Sequence, residues 1–297
     1  MLFLRRIGYI TCFICIYLIL PGQKNHDSLR FEIHQILTRT DADVGIAVMD
    51  LFSKDTFTVH GDRHYPMQSV YKFHLALAVL NQVDRGMLKL DQLIFIKKSD
   101  LLPNTYSPLR DDYPDGNISL PLSTILQYTV SKSDNNGCDI LFRLMGGPGK
   151  VNSYIQSFKV KDILISATES EMHHDWNTQF RNYSSPLACI KMLDLFYNKK
   201  ILSKTTMDFL NKAMIETSTG PNKIKGLLDK NIIVAHKTGL SDTKDGIRPA
   251  NNDVGILELP GGKKIAIAVF IADSKQSQEE SDKVVAEIAK TIVNQMQ

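Results

Sequence analysis

The sequence predicts an α+β fold in which an antiparallel sheet and its flanking helices are built from both ends of the chain, with an all-helical domain inserted between them. Two stretches near the start and three near the end have the length and composition of strands. These stretches are DVGIAVMDL (43–51), DTFTVHG (55–61), NIIVAHKTG (231–239), NDVGILEL (252–259) and KKIAIAVFIA (263–272). Between the two groups, apolar residues recur at helical spacing for about 140 residues.

This layout predicts two domains. Residues 25–65 and 216–297 are expected to form the α/β domain with its antiparallel sheet, and residues 66–215 the all-helical domain. Helices in the middle of the chain are predicted at 69–84, 121–131, 134–145, 149–158, 185–198 and 203–214. A last helix is predicted at the C-terminus, where Val284, Ile288 and Ile292 form an apolar stripe.

Composition and charge exclude several classes of partner. The chain has 297 residues, of which 43% are hydrophobic and 23% charged, and these values are ordinary for a globular protein with a sizeable core. The formal net charge is +3, and Arg5, Arg6 and Lys24 lie in the first segment. Because the remainder is near neutral, neither nucleic acid nor an anionic surface is expected as the main partner.

The first 24 residues are typical of a secretory signal peptide. Arg5 and Arg6 precede an apolar stretch, Ile7 to Leu20, which is about 14 residues long and ends at Pro21. Such a stretch is short for a membrane-spanning helix. We therefore expect cleavage near residue 24, a periplasmic location and no stable membrane association afterwards; an uncleaved membrane anchor is the alternative.

Neither the cysteines nor the histidines have the spacing of a metal site. Cys138 and Cys189, the two cysteines beyond the signal segment, lie in apolar helical patterns and are predicted to be buried thiols. The pair His173 and His174 has no further ligands at helical offsets. We expect no metal, no cofactor and a monomeric protein.

Residues 165–186, ISATESEMHHDWNTQFRNYSSP, show no sustained period. A loop of that length in a compact domain is usually either functional or disordered. The segment contains a Trp, a Tyr, two His and two Glu, which is not the composition of a disordered segment. A packed, functional loop is therefore predicted.

The segment PMQSVYKFHLALAVL places Ser69 and Lys72 three positions apart at a helix start. On a helix both side chains occupy one face, where a desolvated lysine amine is able to accept the proton of a serine hydroxyl. The structural alternative is that Ser69 starts the helix and Lys72 is solvated. The pattern alone does not decide, because Ser241 and Lys244 repeat it.

Two further groups of polar residues could line a site for an amide substrate. In SKSDNNGCDIL, Ser133 and Asn135 flank Asp134, which is a plausible N-cap for the following helix. In VAHKTGLSD, Lys237, Thr238 and Gly239 end a strand. A strand Lys is normally solvated, but here a cation, a hydroxyl and an open backbone stand together, a combination suited to a carboxylate and a nearby carbonyl.

The order and spacing of Ser-x-x-Lys, Ser-Asp-Asn, a loop glutamate and Lys-Thr-Gly resemble the motif set of the class A serine β-lactamases. The resemblance extends from about residue 27 to the C-terminus. PMQSVYKFHLALAVL, LLPNTYSPLRD and SDNNGCDILF are most similar to the PER/VEB-type extended-spectrum subgroup. The resemblance implies a β-lactamase/transpeptidase-like fold with the active site at the interface of the two domains. It also implies β-lactam antibiotics as small-molecule substrates.

The resemblance also implies roles for individual residues. Ser69 would attack the lactam carbonyl, and the backbone N–H groups of Ser69 and Leu240 would form the oxyanion hole. Lys72 and Glu169 would share the task of taking the Ser69 proton. Ser133 would relay a proton to the leaving nitrogen, and Asn135 would bind the substrate side-chain amide. Lys237 and Thr238, with Gly239, would bind the substrate carboxylate. Tyr106 would form a wall of the cleft.

Glu169 distinguishes a β-lactamase from the penicillin-binding transpeptidases and sensors of similar sequence. Those proteins share the Ser and Lys motifs but lack the loop glutamate that activates the deacylating water, so they stay acylated. Glu171 is the alternative carboxylate, and the spacing from Ser133 favours Glu169. A serine-dependent glutaminase is a further alternative, which the export signal and Ser-Asp-Asn disfavour.

The chain departs from the family pattern at four places. Ala167 and Asn182 stand where most members have an Arg and an Asp that tie the loop, so we expect a loop rebuilt around different contacts. His173 replaces an Asn that helps to hold the deacylating water, and Leu240 replaces a small residue beside the cleft.

The fourth departure concerns the carboxylate site. Asn251 stands where the family usually has an Arg, and Lys223 is either its substitute or an ordinary surface Lys. The rebuilt loop and the long LSDTKDGIRPANN connection also suggest a cleft wide enough for oxyimino-cephalosporins.

Overall fold

The computed structural model describes residues 26–198 and 201–296, so the predicted signal peptide lies outside the described residues. Strands formed by the two ends of the described chain make one antiparallel sheet, and helices cover both of its faces. The fold class predicted from the sequence is therefore confirmed. Within the described ranges, no helix combines the length and the apolar character that a membrane crossing requires.

The central sheet has five strands in the order β2-β1-β10-β9-β8, and every neighbouring pair is antiparallel. The bounds of its strands are β1 (Asp43–Asp50), β2 (Thr56–Val59), β8 (Ile233–Leu240), β9 (Asn251–Glu258) and β10 (Lys264–Ala272). All five occur where the sequence predicts a strand. β8 is an edge strand, so one of its sides has no strand partner in this sheet.

Helices account for most of the remaining regular structure in the described chain. Their bounds are α1 (Asp27–Leu37), α2 (Tyr71–Asp84), α3 (Pro108–Asp112), α4 (Leu122–Ser131), α5 (Asn135–Met145), α6 (Pro148–Gln156), α7 (Glu169–His174), α8 (Pro186–Tyr197), α9 (Lys204–Ile215) and α10 (Gln278–Met296). Each helix predicted from periodicity is present, with ends within two residues of the prediction, and the predicted C-terminal stripe is buried.

Two apolar clusters hold these layers together. On one face of the sheet, α1 and α10 pack against alternate residues of the strands, for example Val48 and Ile267. On the other face, α8 contacts β1 and β10, and the larger cluster continues into α2, which is buried along its first ten residues. A helix buried on nearly all sides needs neighbours all round it, and α4, α5, α6 and α9 provide them.

The helical part also contains two small sheets that periodicity did not predict. Strands β4 (Leu93–Ile96) and β5 (Ile118–Pro121) form a two-stranded antiparallel sheet, and β3 (Tyr65–Pro66), β7 (Tyr183–Ser184) and β6 (Ile163–Leu164) form the second sheet. Strands of two residues are too short for a period-two signal, and β4 and β5, with four residues each, are at its lower limit. The second sheet matters for the site because it joins the chain just before Ser69 to both ends of the 165–182 segment.

Candidate active site

Ser69 lies in a 3-10 turn, Gln68–Val70, that runs directly into α2. The residues at the cap positions of the turn and of the helix are Met67 and Val70, and neither start has a side-chain capping bond. Ser69 therefore lies at the helix start, as predicted, but its hydroxyl does not cap the helix. Ser69 lines the cleft described below.

The edge of the central sheet fixes the position of this turn. Asn252 on β9 donates from its side-chain amide to the carbonyls of Pro66 (2.8 Å) and Met67 (3.2 Å). Gly239 on β8 approaches so closely that a Cβ at this position would lie 2.4 Å from the Met67 carbonyl oxygen. Only glycine fits there. The Lys-Thr-Gly strand therefore lies directly against the turn that carries Ser69.

Lys72, which lies one turn after Ser69 and is the second residue of α2, is completely buried. Its Nζ donates to the Ser133 carbonyl (2.8 Å) and to the side-chain oxygen of Asn135, and it lies 3.0 Å from Glu169 Oε1. An ammonium has three protons to place, and a buried charge needs partners of this kind. The solvated interpretation of Lys72 is therefore wrong. One amine joins three segments that are far apart in the sequence.

The Ser-Asp-Asn segment is held open at the entrance of α5. Ser133 has φ +59°, and Asp134 is the N-cap, accepting from the Gly137 N–H at 2.7 Å, as predicted. Burial raises the pKa of Asp134. The backbone N–H groups that donate hydrogen bonds to its carboxylate oppose that effect. The Asn135 amide also donates to the Thr105 hydroxyl (2.7 Å), which fixes its orientation beside the cleft.

Lys237 on β8 is also completely buried, so the expectation for an ordinary strand lysine does not hold here. Its Nζ donates to the Ser133 hydroxyl (2.8 Å) and to the Thr238 carbonyl (2.9 Å). Burial lowers the pKa of Lys237 well below the usual value, and the Lys72 ammonium adds to that effect. The two lysines thus contact Ser133 from different sides, one at the carbonyl and one at the hydroxyl.

The end of β8 presents its backbone to the cleft. Ser241 donates its N–H to Ala250, on the β9 side. Successive N–H groups of a strand point in opposite directions, so the N–H of Leu240 points away from β9, toward the open edge. The Leu240 side chain is 40% exposed and lines the cleft.

Glu169 is the first residue of α7, inside the segment predicted to be a loop. That segment is packed, as predicted, but it contains α7 and a 3-10 turn, Trp176–Arg181, which periodicity did not reveal. The sequence does contain a signal for α7: Thr168 and Glu171 form a capping box. Glu171 is engaged in that cap.

Asp139 on α5, which sequence analysis did not single out, anchors the same helix start. Its two carboxylate oxygens accept from the backbone N–H groups of Glu169 and Ser170, both at 2.8 Å. Burial, together with the nearby Glu169 charge, raises the pKa of Asp139 to about 6. Its position four residues after Asn135 puts both on one face of α5, which is the signal that would have identified it.

Asn182 closes the other end of the segment. Its side-chain oxygen accepts from the N–H groups of Ser166 (2.8 Å) and Ala167 (3.0 Å), and its amide donates to the Ala167 carbonyl (2.9 Å). Asn182 and Ala167 are both fully buried. A neutral carboxamide thus makes the different contacts that the missing ion pair led us to expect.

Tyr71, which was also not singled out, contacts the carboxylate of Glu169. Its phenol is fully buried and donates to Glu169 Oε1 at 2.7 Å, and the Cys138 thiol lies 3.6 Å from the phenol oxygen. Burial raises the pKa of Tyr71 well above the usual value, so the phenol stays a donor. The same Glu169 oxygen therefore contacts both Tyr71 and Lys72.

Two adjoining cavities of about 530 and 300 Å³ open on Ser69. Tyr106, Asn135 and Leu240 line both of them, and Tyr106 is 55% exposed as a wall of the cleft. The residues found only in the first are Ser133, Thr219, Gly220, Lys223, Thr238, Thr243, Arg248 and Gln278. The second includes Glu169, His173 and Gln179. Most side chains predicted for the site therefore line these two cavities. The exceptions are the buried amines of Lys72 and Lys237, which contact Ser133 at the cavity wall.

Lys223 is not a surface residue, so that alternative for it is wrong. It is 2% exposed, and its Nζ donates to the carbonyls of Asn252 (3.2 Å) and Gly239 (3.4 Å) at the cleft end of the sheet. Asn251 instead donates to Asp282. Arg248, which sequence analysis did not consider, also lines this end of the cleft.

In the described part of the chain, no cluster of three or more His, Cys, Asp or Glu side chains has the geometry to hold a metal ion. Cys138 and Cys189 are free and buried, as predicted.

The comparisons with known proteins agree with this geometry. The model of the β-lactamase enzyme family matches residues 28–296. β-Lactamase VEB-1 from Pseudomonas aeruginosa is 47% identical over 270 residues, which is 90% of each chain. The chain belongs to the β-lactamase family.

Solved structures extend the likeness to the class and the fold. TLA-1 extended-spectrum β-lactamase is 51% identical with a TM-score of 0.90, over 92% of this chain and 99% of that one. A class A β-lactamase from Bacteroides cellulosilyticus is 41% identical with a TM-score of 0.87, over 90% of this chain and 96% of that one. The protein is a class A β-lactamase, and the resemblance to the PER/VEB-type extended-spectrum subgroup is confirmed.

Proposed function

We propose that this β-lactamase hydrolyses the lactam amide of penicillins and cephalosporins through an acyl-enzyme on Ser69, which water activated by Glu169 then deacylates. The observation that supports this best is that Ser69 and Glu169 line the same cavity while Lys72 Nζ lies 3.0 Å from Glu169 Oε1. A nucleophile and a base for water thus share one space.

In the acylation step, the Ser69 oxygen forms a bond to the lactam carbonyl carbon as its proton leaves. The acceptor is the Lys72–Glu169 pair. Glu169 takes the proton either directly or through Lys72, whose ammonium first gives a proton to Glu169 across their 3.0 Å contact and then accepts the Ser69 proton. The charge that develops on the carbonyl oxygen is bound by the N–H groups of Ser69 and Leu240. The first lies at a helix start, where backbone donors lack helical partners, and the second points out of the sheet edge.

When the tetrahedral intermediate collapses, the C–N bond breaks and the ring nitrogen takes a proton from Ser133. Lys237 supports this transfer because its ammonium donates to the Ser133 hydroxyl oxygen at 2.8 Å and stabilises negative charge there. Ser133 then recovers the proton that the Lys72–Glu169 pair took from Ser69. The net movement is one proton from Ser69 to the leaving nitrogen.

The polar groups around the cleft orient the substrate. Lys237 and Thr238, beside the open backbone at Gly239, bind the substrate carboxylate, and Lys223 is the supplementary cation at this end. At the other side, the Asn135 amide binds the substrate side-chain amide and Tyr106 forms a wall. Both ends converge on Ser69, which places the lactam carbonyl at the nucleophile.

In deacylation, Glu169 takes a proton from a water molecule whose oxygen attacks the acyl carbon, and Ser69 leaves with a proton. Glu171 is a poor candidate for this role, because its carboxylate accepts from Thr168 (2.8 Å) and is exposed outside the cleft. His173 lines the cavity beside Glu169 and contributes to the surroundings of this water.

Turnover of a chromogenic cephalosporin by the mature chain tests this proposal, with intact mass measured on the parent, Glu169→Gln and Glu171→Gln. We expect many turnovers by the parent and by Glu171→Gln, and a trapped acyl adduct on Glu169→Gln. A stable adduct on the parent would instead indicate a penicillin sensor or transpeptidase-like protein. Neither turnover nor adduct would favour a glutaminase-type amidase.

We also propose that the substrates include oxyimino-cephalosporins. The two adjoining cavities that share Ser69, Tyr106 and Leu240 offer room on both sides of the nucleophile. TLA-1, one of the relatives whose structures are solved, is named an extended-spectrum β-lactamase. Efficient hydrolysis of benzylpenicillin with no hydrolysis of cefotaxime or ceftazidime would contradict this part alone.

Finally, we propose that the enzyme works as a cofactor-independent monomer in the periplasm after residues 1–24 are removed. Osmotic-shock fractionation with N-terminal sequencing, followed by light scattering of the mature chain, tests location, cleavage and mass together. A full-length protein in the membrane fraction would indicate the uncleaved anchor instead.

A further inference from the structure

The connection between β8 and β9 folds back on itself and carries Arg248 in a fixed position. Lys244 and Ile247 exchange backbone hydrogen bonds of 3.0 and 2.9 Å, and the Asp-Gly pair between them has φ values of +52° and +76°. Such a pair is typical of a tight two-residue hairpin turn. Directly after the turn, the backbone of Arg248 exchanges hydrogen bonds of 2.8 and 2.9 Å with Ser274, beyond the end of β10. The backbone of Arg248 is therefore held from both sides.

The side chain of Arg248 is half-buried and lines the larger cavity of the cleft, together with Thr238. One guanidinium nitrogen donates to the Ser241 carbonyl, and Nε is buried without a hydrogen-bond partner. Within the part of the chain that the structure describes, no carboxylate forms an ion pair with Arg248, including that of Asp242 on the same cavity. A guanidinium has five N–H donors. Arg248 thus brings a cation with unused donors to the cleft.

The two lysines at this end of the cleft are more fully engaged. Lys237 is 0% exposed and donates to the Ser133 hydroxyl and to a backbone carbonyl. Lys223 is 2% exposed, donates to two backbone carbonyls at 3.2 and 3.4 Å, and lies 4.0 Å from Asp282. Each ammonium therefore has two of its three protons in internal hydrogen bonds. Both lysines supply positive charge, and Arg248 has more donors left for a direct contact.

We propose that Arg248 is a further substrate-binding residue, whose planar guanidinium forms paired hydrogen bonds with the carboxylate of the bound β-lactam beside Thr238. A guanidinium matches both oxygens of a carboxylate, which an ammonium does not. Lys223 and Lys237 add attraction from beneath the cavity wall. The inference rests on the proposed function, which supplies the identity of the anion.

The charges at this end agree with a bound anion. Burial lowers the pKa of Lys223, and the positive charge of Arg248 adds to that effect. Two like charges that repel each other are both stabilised by an anion that binds at their shared cavity. A neutral substrate group at the same place would not provide this stabilisation. We therefore expect Arg248 to distinguish a carboxylate from its ester.

The test compares benzylpenicillin with its methyl ester, which keeps the lactam and the side chain but lacks the negative charge. We measure kcat/KM for both compounds with the mature parent and with Arg248→Gln. For benzylpenicillin we expect kcat/KM to fall about tenfold to a hundredfold, as for the loss of hydrogen bonds to a charged group. For the ester we expect a fall of less than about threefold, because its neutral group gains little from the cation.

Two further variants separate the contact from the fold of the hairpin. Arg248→Lys keeps the charge and loses the planar fork, so its ratio of acid to ester kcat/KM should lie between those of the parent and Arg248→Gln. Lys275→Gln removes an exposed cation next to Ser274 that lines neither cavity, and it should leave the ratio unchanged. If Arg248→Gln does not fold, a ratio lowered at least threefold in Arg248→Lys is the expected result.

Equal losses on acid and ester would assign Arg248 a structural role and overturn the inference, as would an unchanged ratio in the folded variants. If the parent forms a stable adduct without turnover, the rate of adduct formation measured by intact mass replaces kcat/KM in the same comparison. A parent that does not react with benzylpenicillin at all would overturn the proposed function, and this inference with it.

Discussion

The contacts of Asn182 predict that restoring the usual family residue at this position destabilises the enzyme. Asn182→Asp keeps an oxygen to accept from the Ser166 and Ala167 N–H groups. The second carboxylate oxygen, however, replaces the amide that donates to the Ala167 carbonyl at 2.9 Å. Two acceptors would then face each other in a site that is 0% exposed. The Arg that balances this carboxylate elsewhere in the family is absent, because Ala167 occupies its place.

The expected cost follows from these contacts. The lost hydrogen bond accounts for about 1 kcal/mol and the unsatisfied Ala167 carbonyl for about 1–3 kcal/mol. An uncompensated buried charge raises the total to about 3–5 kcal/mol at neutral pH, since only two N–H groups stabilise it. Part of this cost is reversible: a protonated carboxyl donates to the carbonyl and accepts from the N–H groups, as the amide does.

Urea unfolding of the parent and of Asn182→Asp at pH 7.5 and pH 5 measures both effects. We expect the loss of unfolding free energy to shrink at the lower pH, because burial favours the neutral carboxyl. Asn177→Asp, which adds the same charge at an exposed position of the same segment, is the control and should change stability by less than about 0.5 kcal/mol. A variant as stable as the parent at pH 7.5, or a loss independent of pH, would refute the reasoning.

Two further substitutions examine α2. His74 is fully buried, and burial lowers its pKa from 6.5 to about 4. Protons therefore bind the unfolded chain more tightly than the folded one, and this residue should cost the parent up to about 3 kcal/mol of unfolding free energy as the pH falls from 6.5 to 4. His74→Leu should lose less over that range, and equal losses in urea titrations would contradict this. Tyr71→Phe removes a hydrogen-bond donor to Glu169. Because a hydrogen bond to a charged group contributes about 1.5 kcal/mol, we expect kcat to fall about tenfold with little change in KM. An unchanged kcat in steady-state kinetics would contradict this prediction.

Helices and sheet strands of the core could be predicted because each carries its signal locally. The apolar stripe of α10 and the strand pattern of β10 extend over several turns or pairs, long enough for periodicity to identify them. Helix α7 and the small sheets are short, and they depend on a capping box, on Asp139 and on Asn182. A periodicity argument does not detect structure held by single hydrogen bonds.

The site residues also divide into those that a local motif identifies and those that only distant contacts identify. Motif order was enough to select Ser69, Lys72, Ser133, Glu169 and Lys237, and the structure brings their side chains around one cleft. Tyr71 and Arg248 were missed because nothing in their own neighbourhood distinguishes them from ordinary residues, and Asp139 is indicated locally only by its spacing from Asn135. Their partners are distant in the sequence: Tyr71 and Glu169 are 98 positions apart.

The sequence by itself therefore determined the class of fold, the positions of the long elements and the chemical identity of the reacting groups, because these depend on residue type and on local spacing. Only the tertiary structure decided that Lys223 is buried and that an amide closes the 165–182 segment in place of an ion pair. These features depend on desolvation and on contacts between residues far apart in the chain. Both arise only when the sheet and the helices have packed together.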